Sequence, residues 1–201
     1  MEWLTDLDSS FLLWINSHHS DFFDQVMYVI SYRWTWIPFY ALLIAYIFFR
    51  CHWKRAIAIL IAVALAVTLA DQTCAGWLRE TVARLRPSNL DNPLSAMVHV
   101  VNDYRSGSYG FPSCHAANSV ALTVVLILAL RTRLIAWIMI PWAIIQCYSR
   151  AYLGVHYPGD LLVGAGIGGL FGWLSWYAVN RCLTHFFPDV SYISKNERSD
   201  Y

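Results

Sequence analysis

Five uncharged runs dominate this 201-residue chain: Trp34–Phe49, Ala56–Ala70, Ala116–Leu130, Leu134–Tyr148 and Leu161–Asn180. A helix that crosses a bilayer needs about 20 mostly apolar residues. The second run extends past Asp71 to about Leu78, and Trp, Tyr and Arg at the ends of the shorter runs can reach the interface. Composition agrees. Charged residues make up 13% of the chain and hydrophobic residues 58%, whereas a soluble domain carries about 25% charged residues. The mean hydropathy is +0.43. The expected fold is therefore all-α, a polytopic transmembrane helix bundle of five spans. A net charge of +1 gives no electrostatic basis for binding nucleic acid.

The first 33 residues read differently. Leu4, Leu7, Phe11, Leu12 and Ile15 recur near helical spacing, with Asp6, Asp8 and Asn16 between them, and Asp21 and Asp24 interrupt the next apolar stretch. An amphipathic interfacial helix fits this pattern better than a buried span, because burying those charges is costly. Counting it as a span would make six. The opening MEWLTDLDSS lacks the basic and apolar regions of a signal peptide. Five cysteines, an odd number with no CxxC pair, suggest neither a disulfide framework nor a zinc site. A single membrane-embedded domain over 1–201 is expected, with an N-terminal segment at 1–33, a core at 54–182 and a cytoplasmic tail at 183–201.

Sidedness follows from the connections. Arg50, Lys54, Arg55, Arg131, Arg133, Arg181, Lys195 and Arg198 lie on one set, eight against the six of Arg33, Arg79, Arg84, Arg86, Arg105 and Arg150. By the positive-inside rule the first set, including the C-terminus, faces the cytoplasm. Threading the spans then places three polar clusters on the opposite face: Arg79–Pro87, Phe111–His115 and Ser149–Asp160. Arg79, Arg86 and Arg150 offer planar forks that match phosphate oxygens. Pro112 suits the first turn of a helix, and Ser113, Cys114 and His115 would lie at an N-terminus that favours an anion. His115 and His156 supply a nucleophile or base and an acid near neutral pH, and Asp160 can fix the tautomer of one of them. These parts suit phosphoryl transfer without a metal or other cofactor. Gly164, Gly168 and Gly172 mark one face of the last span for close helix packing.

The same residues resemble the type 2 phosphatidic acid phosphatase superfamily of integral membrane lipid phosphatases. The family pattern K-x6-R-P is met by Arg79, six residues, then Arg86-Pro87, with Arg in place of Lys. P-S-G-H is met by Pro112-Ser113-Cys114-His115, with Cys in place of Gly. S-R-x5-H-x3-D is met in full by Ser149, Arg150, His156 and Asp160. The resemblance implies attack by His156 on phosphorus, orientation of His156 by Asp160, and protonation of the leaving oxygen by His115. Arg79, Arg86, Arg150, Ser113 and the Cys114 N–H would hold the phosphate. It implies a membrane lipid phosphate or diphosphate as substrate, undecaprenyl diphosphate first, with phosphatidylglycerol phosphate, phosphatidic acid and lipid A as alternatives. The expected location is a bacterial inner membrane with the site on the periplasmic or outer face. A non-catalytic lipid-binding or transport protein would need the Arg cluster but not both His residues and Asp160. Transfer of phosphate between lipids is a further alternative. Haem ligation is disfavoured because His115 and His156 lie at span edges beside Arg. The polar segment from Ser88 to Gly110 either covers the site or is an ordinary interfacial loop.

Overall fold

The structure is a computed structural model and describes residues 2–188. The end of the tail, with Lys195 and Arg198, lies outside the described residues. In chain order the elements are α1 (Glu2–Ser17), α2 (Asp21–Ser31), a 3-10 turn (Arg33–Trp36) and α3 (Ile37–Arg50). α4 (Trp53–Asp71) follows, passing through π turns (Gln72–Leu78) into the short α5 (Arg79–Val82). After a long connection come α6 (Cys114–Leu130), α7 (Arg133–Tyr152) and α8 (Pro158–Phe186). Among the described residues β pairing is confined to one isolated bridge, Leu85 with Tyr109.

Helices form at all five uncharged runs. Among the described residues three helical stretches are long and apolar enough to cross a membrane, Trp53–Val82, Arg133–Tyr152 and Pro158–Phe186, and Cys114–Leu130 is a shorter apolar helix. The boundaries have local causes. His52 Nδ1 accepts the Lys54 N–H to open α4, and Thr132 Oγ1 accepts the Ile135 N–H to open α7. Arg131, at φ 52°, closes α6 in the left-handed region. Pro158 sits in the first turn of α8, where its missing N–H costs nothing. Large apolar side chains such as Leu42, Trp137 and Leu162 are 70%, 77% and 75% exposed. An apolar face of that extent suits a lipid surround.

The N-terminal segment is two helices rather than one. Ser20 breaks the run and caps α2, its Oγ accepting the Phe23 N–H. Asp21 and Asp24 fall in the first turn of α2, where carboxylates complement the helix dipole. α1 also has two apolar sides. Leu12 and Ile15 are buried against the bundle, while Trp3, Leu4, Leu7, Phe11 and Trp14 point outward. It packs on the bundle's flank and keeps an apolar outer face.

Small residues bring the central helices together. Ala56, Ala62, Ala66 and Ala70 of α4 and Ala117 and Ala121 of α6 are fully buried. On α8, a Cβ added to Gly164, Gly168 or Gly172 would lie 2.4, 2.1 or 2.9 Å from the carbonyl oxygen of Ser113, Ala117 or Ala121. The glycine face therefore packs within the bundle, and the near-contact of α8 with α6 backbone fixes where the N-terminus of α6 sits.

This contact sets a direct test. Gly168→Ala is expected to destabilise the protein by about 1–3 kcal/mol, because an α6 carbonyl cannot retreat from the new methyl. Gly166→Ala meets nothing within 4 Å and should be neutral or gain up to about 1 kcal/mol from helix propensity. Thermal unfolding in detergent would read both; equal midpoints would remove the packing argument.

Candidate active site

One cavity of about 730 Å³ runs into the bundle, and Arg79, Arg86, Arg150, His115, His156 and the Cys114 side chain all line it. The three polar clusters, far apart in sequence, thus converge. Each is delivered by a different device. On α4 and its continuation, Val63, Val67, Asp71, Ala75 and Arg79 line the cavity at intervals of four. On a 3.6-residue helix such a stripe drifts by about 40° per step. The wider π turns at Gln72–Leu78 remove part of that drift and keep Ala75 and Arg79 on the cavity side. Arg86 is set by the chain after α5, where its N–H donates to Ser108 O at 2.9 Å and the Gly110 N–H donates to Arg84 O at 2.9 Å. Arg150 rides the last turn of α7. His156 sits in the short turn between α7 and α8, where Gly154 at φ 67° lets the chain reverse.

The three guanidiniums are held by neutral groups. Arg150, fully buried, donates to Ser31 Oγ, to Tyr104 Oη at 3.2 Å and to Ser106 Oγ at 3.4 Å. Arg86 donates through Nη1 to Val155 O at 2.9 Å. Arg79 Nη2 donates to Cys114 Sγ at 2.7 Å. The Nε atoms of all three are buried with no hydrogen-bond partner. Among the described residues none of the three pairs with a carboxylate. Unpaired buried charge is strongly disfavoured, so three guanidiniums with unpartnered Nε atoms around one cavity suit a polyvalent anion.

His156 also contacts this cluster, with Nε2 2.8 Å from Arg86 Nη1. A guanidinium has no acceptor, so Nε2 must carry the lone pair and Nδ1 the proton. That tautomer points a nucleophilic nitrogen at the anion pocket. Nδ1 faces Asp160 Oδ2 at 3.6 Å, longer than a hydrogen bond. The Asp160 carboxylate is held elsewhere: Oδ2 accepts the Tyr157 N–H at 3.0 Å and Oδ1 accepts Arg84 Nη1 at 2.8 Å. A small ring rotation would complete the His156–Asp160 pair, as catalytic hydrogen bonds often tighten only with substrate bound. His115 is open to the cavity from the first turn of α6. Ser113 is not brought into it. Its hydroxyl is fully buried and caps α6 by accepting the Ala116 N–H at 3.4 Å.

Several residues of the site carry no motif. Arg84 bridges Asp160 to Asp8 of α1, donating to each at 2.8 Å, and its guanidinium lies 3.7 Å over the Tyr157 ring. The Gly159 N–H donates to Asp8 Oδ1 at 2.7 Å. Tyr104 and Ser106 come from the Ser88–Gly110 connection, which therefore builds a wall of the site. Gly110 leaves room that a Cβ would fill, 3.1 Å from Arg86 Cγ and 3.2 Å from Asp160 Oδ2. Sequence offers only weak signals for these: an extra Arg between two motif Args, and one of three acids in an amphipathic helix.

A scan of protein families matches residues 55–183 to the PAP2 superfamily. The chain belongs to that superfamily. It is 44% identical over 190 residues to a lipid A 4'-phosphatase of Bacteroides thetaiotaomicron, covering 94% of this chain and 84% of that one. It is 33% identical over 148 residues to an undecaprenyl-diphosphatase of Sulfolobus acidocaldarius, covering 73% of this chain and 63% of the relative. Among solved structures, the PAP2 type phosphatidylglycerolphosphate phosphatase of Bacillus subtilis superposes with a TM-score of 0.64 at 24% identity, covering 92% of this chain and 90% of that one. The last likeness establishes the fold. Together they make this chain a membrane lipid phosphate hydrolase.

The electrostatics of His156 give a test. Burial, then the charges of Arg86, Arg150 and Arg79, push its pKa well below the usual imidazole value. Burial and the charges of Arg150 and Arg79 also lower Arg86, to about 10, which leaves it protonated at neutral pH. A depressed His156 stays neutral as pH falls, so the acidic limb of kcat/KM that it controls should lie below about 6.5. In Arg86→Gln one neighbouring positive charge is gone, and the limb should move upward. Comparing the two proteins on one substrate cancels the substrate's own ionisation. An unmoved limb would show that His156 does not control it.

Proposed function

We propose that this PAP2 enzyme removes the 4'-phosphate of lipid A. The observation that carries the reading is the 44% identity, over nearly the whole chain, to a lipid A 4'-phosphatase. Undecaprenyl diphosphate, the first choice from sequence alone, is not favoured, since the relative named for it is more distant. The cavity suits a lipid phosphate on physical grounds. Its polar end holds the guanidiniums and both imidazoles. Its remainder is lined by apolar side chains of α3, α4, α6 and α7, including Leu43, Ile47, Leu60, Val63, Leu126 and Trp142. A headgroup phosphate at the polar end would leave an acyl chain along that wall.

The mechanism follows from the atoms. An arriving phosphate takes the hydrogen bond that Arg86 gives His156 Nε2, and so frees the nitrogen lone pair. Nε2 attacks phosphorus in line, the P–N bond forms and the P–O bond to the lipid breaks, while His115 protonates the departing oxygen. Asp160 stabilises the positive imidazole through Nδ1–H. His115, now neutral, takes a proton from water, which attacks phosphorus and breaks the P–N bond. Arg79, Arg86 and Arg150 hold the equatorial oxygens, where transition-state charge is spread. The free Cys114 and His115 N–H groups of the α6 N-terminus add to that field. No step needs a metal. We place five spans in a bacterial inner membrane, with the site at the periplasmic face and the C-terminus in the cytoplasm, because the basic connections without site residues lie at the other end.

Purified protein in detergent with EDTA would be offered lipid A, undecaprenyl diphosphate, phosphatidylglycerol phosphate and phosphatidic acid. Lipid A should give the highest kcat/KM, with mass spectrometry locating the lost phosphate at the 4' position. His156→Ala should lower kcat by more than about 10³-fold, and His115→Ala by about 10²–10⁴-fold. Preference for another lipid would overturn the substrate assignment. Full turnover by His156→Ala would overturn the mechanism.

A further inference from the structure

His19, Asp24 and His99 lie at the end of the bundle that carries Arg150, and neither the motifs nor the phosphate site uses them. Their ligand atoms, one from each residue, all lie within 4.8 Å of one another. His19 comes from the break between α1 and α2, Asp24 from the first turn of α2, and His99 from the Ser88–Gly110 connection, 75 residues further on. We propose that these three residues form a binding site for one divalent transition metal ion of the zinc type, which clasps the connection to the N-terminal helices.

The donor set is the first argument. Two imidazoles and one carboxylate are the borderline donors that zinc and its neighbours prefer, and calcium or magnesium would demand more oxygens. The distances are close to those needed. His99 Nε2 and Asp24 Oδ2 are already 2.8 Å apart. Zinc bonds of about 2.0–2.1 Å put tetrahedral ligand atoms about 3.4 Å apart, so closure asks for movements of about 1 Å. The His19 and His99 rings stack with centroids 3.7 Å apart and planes 5° from parallel. Parallel rings hold their in-plane lone pairs in parallel planes, so the exposed His19 ring must turn out of the stack for both nitrogens to meet one ion.

The second argument is the bracing around the ligands. Metal ligands are held by outer hydrogen bonds that fix their orientation. The free oxygen of Asp24, Oδ1, accepts the Tyr152 hydroxyl at 2.7 Å. The His99 backbone is held on both sides by Asn16, whose Oδ1 accepts its N–H at 2.7 Å and whose Nδ2 donates to its carbonyl at 3.0 Å. Asn16 Nδ2 also donates to Tyr152 O at 2.7 Å, and Asn16 is buried. Gly154 fits beneath: a Cβ there would lie 2.3 Å from Val98 Cγ1. His19 alone is exposed, which leaves the fourth position to water. A neutral His99 offers Nε2 to a metal once the ring proton it shares with Asp24 has moved to Nδ1, a change of tautomer with no net loss of a proton. Tyr104 and Ser106, on the same connection, hold Arg150, so a bound ion would stiffen a wall of the phosphate site while taking no part in its chemistry.

The test uses the full chain in detergent, freed of any affinity tag and stripped with EDTA. Cobalt(II) serves as an optical probe and zinc as competitor, with isothermal titration for stoichiometry and thermal unfolding for stabilisation. One equivalent of zinc should bind and raise the unfolding midpoint. His19→Ala changes an exposed residue and should keep the fold, yet weaken zinc binding at least about 100-fold and abolish the midpoint rise. His18→Ala, one residue away, should leave both unchanged. Tyr152→Phe should weaken binding about 10- to 100-fold. Absence of binding by the native chain, or unaltered binding by His19→Ala, would overturn the proposal. Neither readout depends on phosphatase turnover, so the two readings stand or fall separately.

Discussion

Three guanidiniums around one cavity, those of Arg86 and Arg150 buried and that of Arg79 half-buried, pair with no carboxylate among the described residues, and they set the problem that the rest of the fold solves. Desolvating even one such charge costs several kcal/mol. The bundle tolerates them because hydroxyl oxygens, a thiol and one backbone carbonyl take up some of their N–H groups, while the Nε atoms are left unpartnered. A carboxylate in their place would satisfy them permanently and close the site to phosphate. The acids nearby are engaged elsewhere: Asp160 by Arg84 and the Tyr157 backbone, which keeps it from collapsing onto Arg86, and Asp71 by the Asn118 side chain.

Holding that cluster requires stiffness around it, and small residues supply it. Alanines on α4 and α6 and glycines on α8 let three helix backbones approach closely. In lipid there is little hydrophobic drive between helices, so van der Waals contact between backbones is the available source of cohesion. The same seam positions Ser113 and hence the first turn of α6, which carries His115. Packing and chemistry are thus one arrangement: the glycine that meets Ser113 O is four residues beyond Asp160.

Much of this is legible in the sequence, for physical reasons. Uncharged runs and basic connections report the helices, because the bilayer punishes charge in the first and membrane polarity sorts the second. Arg79, Arg86, Arg150, His115, His156 and Asp160 are legible because their chemistry demands a fixed spacing within each segment. Contacts between segments are not. Arg84 looks like one more basic residue until α1 supplies Asp8. Tyr104 and Ser106 look like loop until Arg150 needs acceptors. Ser113 sits inside a motif yet faces the helix backbone, since a single residue cannot both cap α6 and turn toward the cavity. The division of the first 33 residues into two helices turned on Ser20 and the acids that follow it, which hydropathy reads only as interruptions. The choice among lipids is spread over apolar wall positions, each individually unremarkable.

Asp8 has a consequence for where this enzyme begins. The family match opens at residue 55, but Asp8 joins Arg84 and the Gly159 N–H, and through them Asp160. The boundary drawn by the family match therefore cuts across the candidate site's hydrogen-bond network. A transplanted 55–183 core would carry every recognisable motif and still lack the counter-charge that sets Arg84. In this chain the amino-terminal helix helps to build the candidate site through Asp8, although the family match opens 47 residues beyond it.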